Sequence, residues 1–229
     1  MPDSREFGNE KSGERREKIP DPTIGRLPLY FRCLSDLSEK QITVVSSDEI
    51  ANRAGVKASQ FRKDLSYFGE FGVQGLGYPV PHLLRRIGSI MRLDKVHKVA
   101  LIGAGNLGSA LAGFAGFSRW GFHILWIFDS SPERIGLTMQ QIVVEDVQVL
   151  PKPLPADVGI IAVPMPAAQK AADLLVASGV KAILNFTGAT LNAPSEIVLR
   201  NVDLTHELAI LAYHLSTPHS NLDSQETES

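Results

Sequence analysis

The sequence contains a single cysteine, Cys33, so an intrachain disulfide is excluded. It has neither a signal-peptide pattern at its start nor an uninterrupted apolar run of about 18 residues, the length that a membrane helix needs. Cys33 lies in an apolar pattern with no Cys or His nearby at metal-ligand spacing, which favours a buried structural thiol and no metal site. These absences predict a soluble cytoplasmic protein without a membrane partner.

An excess of charge of either sign is also missing, because the formal net charge is −2 in 229 residues. The small sum hides an asymmetry. Residues 25–92 carry 10 Lys and Arg against 6 Asp and Glu, a balance of +4, whereas residues 93–229 carry 8 against 13, a balance of −5. A chain of this length has room for two modest domains. The basic part is therefore a candidate nucleic-acid face, and the acidic part is not.

Residues 1–24 contain almost nothing apolar to bury, so we expect a disordered arm. An apolar pattern that starts at Pro28 predicts a first helix ending near Lys40. Ser46 and Glu49 form an S-x-x-E capping box, which predicts the start of a short second helix. After the turn at Gly55, residues 59–68 place apolar side chains at helical spacing and predict a third helix.

The third helix presents polar side chains on its outer face, namely Gln60, Arg62, Lys63, Ser66 and Tyr67. Two short helices joined by a Gly-containing turn, the second with a basic outer face, match the helix-turn-helix plan. A merely solvated charged face gives the same pattern, and both interpretations stay open on the helix alone. The following residues 69–78 contain four glycines, which favours a wing that reaches the DNA backbone or minor groove. A further helix over 82–93 closes this domain, with a boundary near 94–97.

The second domain begins with a short apolar run, three glycines and a helix-like segment between Lys98 and Leu111. Gly103, Gly105 and Gly108 have the G-x-G-x-x-G spacing of a dinucleotide-binding turn. In such a turn the first glycine allows the bend, the second lets a pyrophosphate approach, and the third lets helix and strand pack closely. The pattern is weak evidence alone, because a βα turn with nothing bound has the same spacing.

Asp129 makes the interpretation more specific. It ends a second buried strand, 123–128, about 20 residues beyond the glycines, where the dinucleotide fingerprint places an acid for the adenosine ribose. An acid there repels a 2′-phosphate, so NAD(H) is favoured over NADP(H). The alternative is that Asp129 only caps the turn at 130–132.

The remaining residues alternate strands and helices. Helices are expected over 107–117, 167–178 and 204–215, and strands over 142–149, 158–163, 182–185 and up to 203. Ligands in such doubly wound sheets bind at the carboxyl ends of the strands. The predicted cofactor-binding residues are Gly103, Ala104, Gly105, Asn106, Leu107, Gly108, Asp129, Val163, Pro164, Asn185 and Phe186.

A dehydrogenase also needs a general acid or base near the nicotinamide. The cofactor-side loops 164–166 and 185–188 contain no His, Lys, Arg or Tyr. An NAD-dependent oxidoreductase with an accessory N-terminal domain therefore remains only the alternative. A second alternative is a Rossmann domain that binds another adenine nucleotide, such as a coenzyme A derivative.

Several separated motifs occur in a characteristic order: QFRKDLSYFGEFG and QGLGY, then GAGNLGSAL, VPMPAAQKAADLLVASGVKAILNF and NVDL. Along 28–215 the chain resembles the Rex family of redox-sensing transcriptional repressors. The resemblance implies an N-terminal winged helix, a Rossmann domain that binds NADH and NAD⁺, and a C-terminal helix (204–216) exchanged between the subunits of a homodimer. It further implies binding to an inverted-repeat operator in double-stranded DNA at a low NADH/NAD⁺ ratio, and release when NADH binds.

The resemblance also assigns residues by position. DNA contacts fall on Ser47, Gln60, Arg62, Lys63, Ser66, Tyr67, Gly75, Gly77 and Tyr78, and the redox switch on Arg32, Phe114 and Asp203. Three residues depart from the family pattern: Phe114 replaces a common Tyr and cannot hydrogen bond to Asp203, Val73 replaces a common basic residue, and Gly188 replaces the usual Pro. The sequence thus predicts a repressor without catalytic activity, with domains at 25–93 and 94–203 and a polar tail at 217–229.

Overall fold

The computed structural model describes residues 19–72 and 75–216. The chain divides into two compact units, Met1–Asp94 and Lys95–Ser229. Most of the expected N-terminal arm, the tail at 217–229 and the wing residue Val73 lie outside the described residues.

The first unit contains four helices and a two-stranded antiparallel ribbon among its described residues. These elements are α1 (Asp21–Glu39), β1 (Val44–Val45), α2 (Ser47–Arg53), α3 (Ala58–Ser66), β2 (Tyr78–Pro79) and α4 (Val80–Ile90). The ribbon pairs Val45 with Tyr78, so the end of the wing is held beside the start of α2. This is the helix-turn-helix with a wing that the sequence predicts.

The first helix begins earlier than expected, at Asp21 rather than near Pro28, so the predicted arm is wrong for its last four residues. Pro22 and Asp21 suit the first helical turn, where a missing N–H and an acidic side chain are both favourable. Thr23 and Leu27 are buried on the same face as the later apolar residues of α1, which extends the helix toward the N-terminus. Pro28 lies inside the helix.

The core of the first unit forms where α1, α3, α4 and the ribbon meet. Phe61 of α3 is fully buried, and its ring meets Tyr30 edge-on with 5.0 Å between centroids and Tyr78 with 5.3 Å. Ser46 caps α2 by accepting a hydrogen bond from the backbone N–H of Glu49 at 3.1 Å. The Glu49 carboxylate instead binds Arg53, so only half of the predicted capping box forms.

The second unit is a seven-stranded sheet flanked by helices. Its elements are β3 (His97–Ile102), α5 (Asn106–Ala112), α6 (Ala115–Arg119), β4 (Phe122–Asp129), β5 (Thr138–Met139), β6 (Ile142–Asp146), β7 (Val158–Ile161), α7 (Ala168–Ala177), β8 (Ala182–Asn185), β9 (Val198–Asn201) and α8 (Leu204–Ser216). The strand order is β5-β6-β4-β3-β7-β8-β9, and every pairing is parallel except that of β5 with β6. The predicted doubly wound fold is confirmed.

The chain reverses its direction of travel across the sheet between β3 and β7, which is where ligands bind in folds of this class. Apolar side chains of β3, β4 and β7 fill the cores on the two faces of the sheet. The carboxyl ends of β3, β4, β7 and β8 thus share one edge.

Two expected elements differ from the structure. The single helix over 107–117 is interrupted, because Gly113 closes α5 and Phe114 has an extended ψ of 101° before α6 begins. The strand expected over 142–149 ends at Asp146, whose carboxylate accepts a hydrogen bond from the Gln148 N–H and starts a single 3₁₀ turn. No helix in the described ranges is long and apolar enough to span a membrane.

Candidate functional site

Each of the three glycines in the turn after β3 has a different structural reason to be glycine. Gly103 has a φ of +108°, which other residues rarely adopt, and a Cβ there would collide with the carbonyl oxygen of Ala162. A Cβ on Gly108 would collide with the carbonyl oxygen of Gly103, so this glycine permits close helix–strand packing. A Cβ on Gly105 would meet nothing within 4 Å, which leaves open space beside the turn for a phosphate.

Asp129, at the end of β4, is hydrogen bonded to the glycine turn. Its Oδ2 accepts the Ala104 N–H at 2.6 Å, and its Oδ1 accepts the Ser131 N–H at 2.8 Å. The acid therefore does cap the following turn, but it also connects the ends of β3 and β4. A carboxylate has about four acceptor positions, so two remain for hydroxyl groups of a ligand.

A cavity of about 500 Å³ opens at this edge of the sheet. It brings together five residues that the sequence predicts for cofactor binding: Gly103, Gly105, Asp129, Val163 and Pro164. Its lining also includes residues that sequence reasoning missed: Ile102, Ser130, Ser131, Glu133, Arg134, Val147, Ala162, Ala167, Lys170, Ala171 and Leu174. Lys170, Ala171 and Leu174 could have been predicted from the sequence. They are at helical spacing in a helix that follows the carboxyl end of a strand, where the ligand is expected.

The other predicted cofactor residues are used differently. Ala104, Asn106, Leu107 and Gly108 build the turn and the start of α5, and Phe186 is half-buried beyond β8. Asn185 is fully buried, and its side chain is occupied by bonds to the protein itself: its Oδ1 accepts from Thr187, and its Nδ2 donates to Ala189 and Asn201. Direct contact of these residues with a cofactor stays a prediction.

The second candidate site lies on the first unit, between α2, α3 and the ribbon. A shallow depression of about 480 Å³ brings together Ser47, Arg62, Ser66, Gly75, Gly77 and Tyr78 of the predicted DNA contacts. Arg62 donates from Nη1 to the Ser47 hydroxyl at 2.8 Å, which holds an exposed guanidinium in a defined position. Burial raises the pKa of the Tyr78 phenol, although the nearby positive charge of Arg62 opposes this shift. Lys63 is exposed at the same helix.

Asp64 is a feature that sequence reasoning missed. It lies on α3 among the predicted DNA-contacting residues, yet it is fully buried. Its carboxylate accepts hydrogen bonds from Thr23 Oγ1 at 3.1 Å, Arg26, Tyr30 Oη at 2.6 Å and Gln60 Nε2 at 2.8 Å. Burial would raise the pKa of Asp64, but these donors outweigh it and lower the pKa to about 2. Gln60, a predicted DNA contact, thus has an internal partner.

The three predicted switch residues occupy distinct settings. Arg32 is exposed on α1. Phe114 lies between α5 and α6 with 58% of its surface exposed, and its ring meets Phe117 edge-on at 5.1 Å. Asp203 caps α8, because its Oδ1 accepts from the N–H groups of Thr205 at 2.9 Å and His206 at 3.1 Å. The role of these three residues in a redox switch stays a prediction.

The C-terminal helix α8 exposes large apolar side chains along its length. The predicted stripe of Leu204, Leu208, Leu211 and Leu215 is exposed, with 88% of the Leu215 surface accessible. A contiguous apolar face of this kind is typical of a protein–protein interface. Within residues 19–72 and 75–216, no group of three or more His, Cys, Asp or Glu side chains is placed to hold a metal ion.

Comparison with family models gives one match in each unit. A model described as "Putative DNA-binding protein N-terminus" matches residues 18–66, and one described as "CoA binding domain" matches residues 94–189. The boundary between the two matches falls between α3 and β3.

Comparison with known proteins gives matches along most of the chain. It is 47% identical over 203 residues to the redox-sensing transcriptional repressor Rex of Desulfitobacterium hafniense, covering 87% of this chain and 97% of the relative. It is 43% identical over 203 residues to Rex of Streptomyces coelicolor, covering 87% of this chain and 79% of the relative.

Comparison with solved structures gives matches to repressors of the same family. The crystal structure of RSP in complex with β-NAD⁺ and operator DNA matches with a TM-score of 0.83 and 39% identity, covering 86% of this chain and 93% of that one. The β-NADH complex of RSP, a Rex-family repressor, matches with a TM-score of 0.79 and 38% identity, covering 86% and 94%. With a helix-turn-helix and a Rossmann-type cleft in the same order, and identities far above 30% over most of both chains, the protein belongs to the Rex family of redox-sensing transcriptional repressors.

Proposed function

We propose that this chain is a homodimeric repressor that binds an inverted-repeat operator at a low NADH/NAD⁺ ratio and leaves it when NADH binds. The observation that carries the proposal is the pairing, in one chain, of the Asp129–Ala104 cleft with the Arg62–Ser47 surface. The relative RSP forms complexes with β-NAD⁺ and operator DNA and with β-NADH, which supports the same pairing of ligands here.

In the proposed cofactor complex, the pyrophosphate lies against the open side of Gly105, and the adenosine ribose hydroxyls bond to the free acceptor positions of Asp129. The carboxylate would repel a 2′-phosphate, so NAD(H) is preferred to NADP(H). Val163 and Pro164, in the loop after β7, border the nicotinamide end. Lys170 and Arg134 line the same cavity and supply positive charge for the phosphates.

In the proposed operator complex, α3 enters the major groove and the wing reaches the adjacent backbone. Arg62 and Lys63 supply phosphate and base contacts, supported by Ser47, Ser66, Tyr67 and the wing residues. Two copies joined through the apolar face of α8 present two recognition helices, which suits an inverted repeat. A repressor must be in the same compartment as its operator DNA, and we therefore propose that the protein is cytoplasmic.

A fluorescently labelled operator duplex, titrated with the full chain with and without saturating NADH, tests this function. We expect NADH to weaken operator binding by at least tenfold and NAD⁺ at the same concentration to have a smaller effect. An operator affinity that is indifferent to NADH would overturn the sensor proposal. Because phosphate contacts release counterions, the affinity should also fall steeply with salt.

The match to a CoA binding domain favours a second candidate ligand, a coenzyme A derivative in the same cleft. Mass spectrometry of the nucleotide retained by the purified protein separates the two. NAD⁺ or NADH in the cleft supports the proposal, and a coenzyme A derivative contradicts it.

We further propose that the chain is not an enzyme, since its relatives are named as repressors. An NAD-dependent oxidoreductase would turn over an alcohol or 2-hydroxy acid. We expect no change in NADH absorbance when the protein is incubated with NAD⁺ and a panel of such compounds.

A further inference from the structure

We propose that Asn185 is a positioning residue that couples the loop beside the cofactor cleft to the start of α8. The proposal rests on the proposed function, because it explains how cofactor binding in one place reaches a helix that the dimer uses. All the residues involved belong to the second unit.

The Asn185 side chain is saturated with hydrogen bonds. It stands at the carboxyl end of β8 and is fully buried. Its Oδ1 accepts from the Thr187 backbone N–H at 3.0 Å and the Thr187 hydroxyl at 2.7 Å. Its two Nδ2 hydrogens go to the Ala189 carbonyl at 2.8 Å and to Asn201 Oδ1 at 2.8 Å. An amide group has two donors and an acceptor oxygen with two lone pairs, so nothing is left for a ligand.

These bonds join two separate segments. On one side, Asn185 fixes the loop 187–189. On the other, it binds Asn201 at the end of β9, and its backbone carbonyl accepts the Val202 N–H at 2.8 Å. The next residue, Asp203, caps α8. A movement of the loop would therefore strain the hydrogen bonds of Asn185 or move the cap of α8.

The loop lies beside Met165, the residue that follows the cavity-lining Pro164. A Cβ built on Gly188 would be 3.9 Å from the Met165 methyl carbon and 3.9 Å from an Asp203 carboxylate oxygen. Met165 directly follows Pro164, which lines the cavity. Gly188 has a φ of +71°, a conformation that proline, with φ fixed near −65°, does not adopt. Gly188 is therefore close to both Met165 and Asp203.

This route does not depend on residue 114. Phe114 has no hydroxyl to report the cofactor to Asp203, whereas the Asn185 bonds connect the cleft-side loop to the segment that carries Asp203. A nicotinamide that displaces Met165 or Gly188 would shift Asn201 through Asn185, and with it the N-terminus of α8. A buried amide whose hydrogen bonds are all made suits this coupling. Its partners are held in fixed positions, so a displacement of one is passed on to the others.

Asn201→Ala tests the coupling, because Asn201 is exposed and its removal deletes one bond of Asn185 without touching the cleft or the loop. Asn201→Asp is the matched conservative variant, since it keeps an oxygen that accepts from Asn185 Nδ2. Gln169→Ala is the control, because Gln169 exchanges two comparable hydrogen bonds with the Asn192 backbone in the same unit.

The measurement is the factor by which saturating NADH weakens operator binding, together with the NADH Kd of the DNA-free protein. We expect Asn201→Ala to reduce the factor about three- to tenfold while the NADH Kd stays within about twofold. Asn201→Asp and Gln169→Ala should keep the wild-type factor. An unchanged factor in Asn201→Ala, or an equal loss in Asn201→Asp or Gln169→Ala, would overturn the coupling. A wild-type chain without any NADH effect would instead overturn the proposed function.

Discussion

Arg26 binds both oxygens of the Asp64 carboxylate, with Nε at 2.6 Å from Oδ2 and Nη2 at 2.7 Å from Oδ1. The pair joins α1 to α3, and Asp64 is fully buried while Arg26 is only partly covered. Bidentate pairing of a guanidinium with a carboxylate fixes orientation as well as distance. The angle at which α3 presents Arg62 and Lys63 is therefore set from α1.

Replacement of Asp64 by Asn should destabilise the first unit by about 3–5 kcal/mol, because it leaves the Arg26 guanidinium without its buried counter-charge. Urea unfolding followed by circular dichroism measures the loss. Glu49→Gln is the control, since the Arg53–Glu49 pair is exposed and its removal should cost less than about 1 kcal/mol. Similar losses in both variants would contradict a structural role for the Asp64 cluster.

The same carboxylate predicts how stability depends on pH. The pKa of Asp64 is lowered in the folded chain to about 2, whereas an unfolded Asp titrates near 3.9. Its contribution is therefore complete above about pH 4 and is lost as the pH falls toward 2, amounting to about 2 kcal/mol. Unfolding of the wild type and Asp64→Asn, compared at intervals from pH 5 to pH 2, should show their difference shrinking by that amount. A constant difference would mean that Asp64 titrates normally.

Arg62→Gln should weaken operator binding by about 1–3 kcal/mol and, if Arg62 contacts a phosphate, reduce the slope of log K against log salt by about 1. Ser47→Ala should cost less, about 0.5–1.5 kcal/mol, because it removes one neutral hydroxyl that positions the guanidinium and leaves the positive charge in place. Fluorescence anisotropy at several salt concentrations measures both. Lys181→Gln, a neutralisation at an exposed position of the second unit, is the control and should leave affinity and slope unchanged.

Phe114→Tyr should strengthen NADH-driven release by about 1 kcal/mol, the net value of one hydrogen bond, if the phenol hydroxyl reaches Asp203 as in the usual form of the family switch. The operator titration with and without NADH measures it. Phe117→Tyr, at the neighbouring ring, is the control for a general effect of an added hydroxyl. An unchanged response in Phe114→Tyr would show that this chain switches through other contacts.

Leu211→Glu should dissociate the proposed dimer, because it places a charge in the middle of the apolar face of α8. Sedimentation velocity at micromolar concentration measures the mass, and Glu207→Gln on the same helix is the control. Operator binding should weaken with dissociation, since one subunit then presents a single recognition helix. A variant that remains a dimer would place the interface elsewhere.

Much of the fold could be predicted from the sequence, because the patterns that predict it are local. The glycine spacing, the apolar strands and the acid after β4 are each set by neighbouring residues, and the structure places Gly103, Gly105 and Asp129 around one cavity. The cap at Ser46 is equally local. Helix lengths were harder to predict. The end of α5 at Gly113 and the early start of α1 at Asp21 depend on what the flanking residues pack against.

The hydrogen-bonded clusters around Asp64 and Asn185 could not be predicted from the sequence, because they are made by residues far apart in the chain. Asp64 lies 38 positions from Arg26, and Asn185 lies 16 positions from Asn201. On a helix, Asp64 looks like one more polar residue of a charged face. Only the tertiary contacts show that it faces inward.

The bonds of Asp129 to the backbone also bear on how a ratio of two cofactors can be sensed. The side chain is already held before any ligand arrives, so its rotamer freedom is given up during folding rather than on binding. The ribose that it would hold is identical in NADH and NAD⁺. A contact that is equal for two ligands raises the affinity for both by the same factor, so it cannot make the protein respond differently to them. Asp129 would therefore set how much dinucleotide the protein carries, and discrimination between the oxidised and reduced forms must come entirely from the opposite end of the cleft.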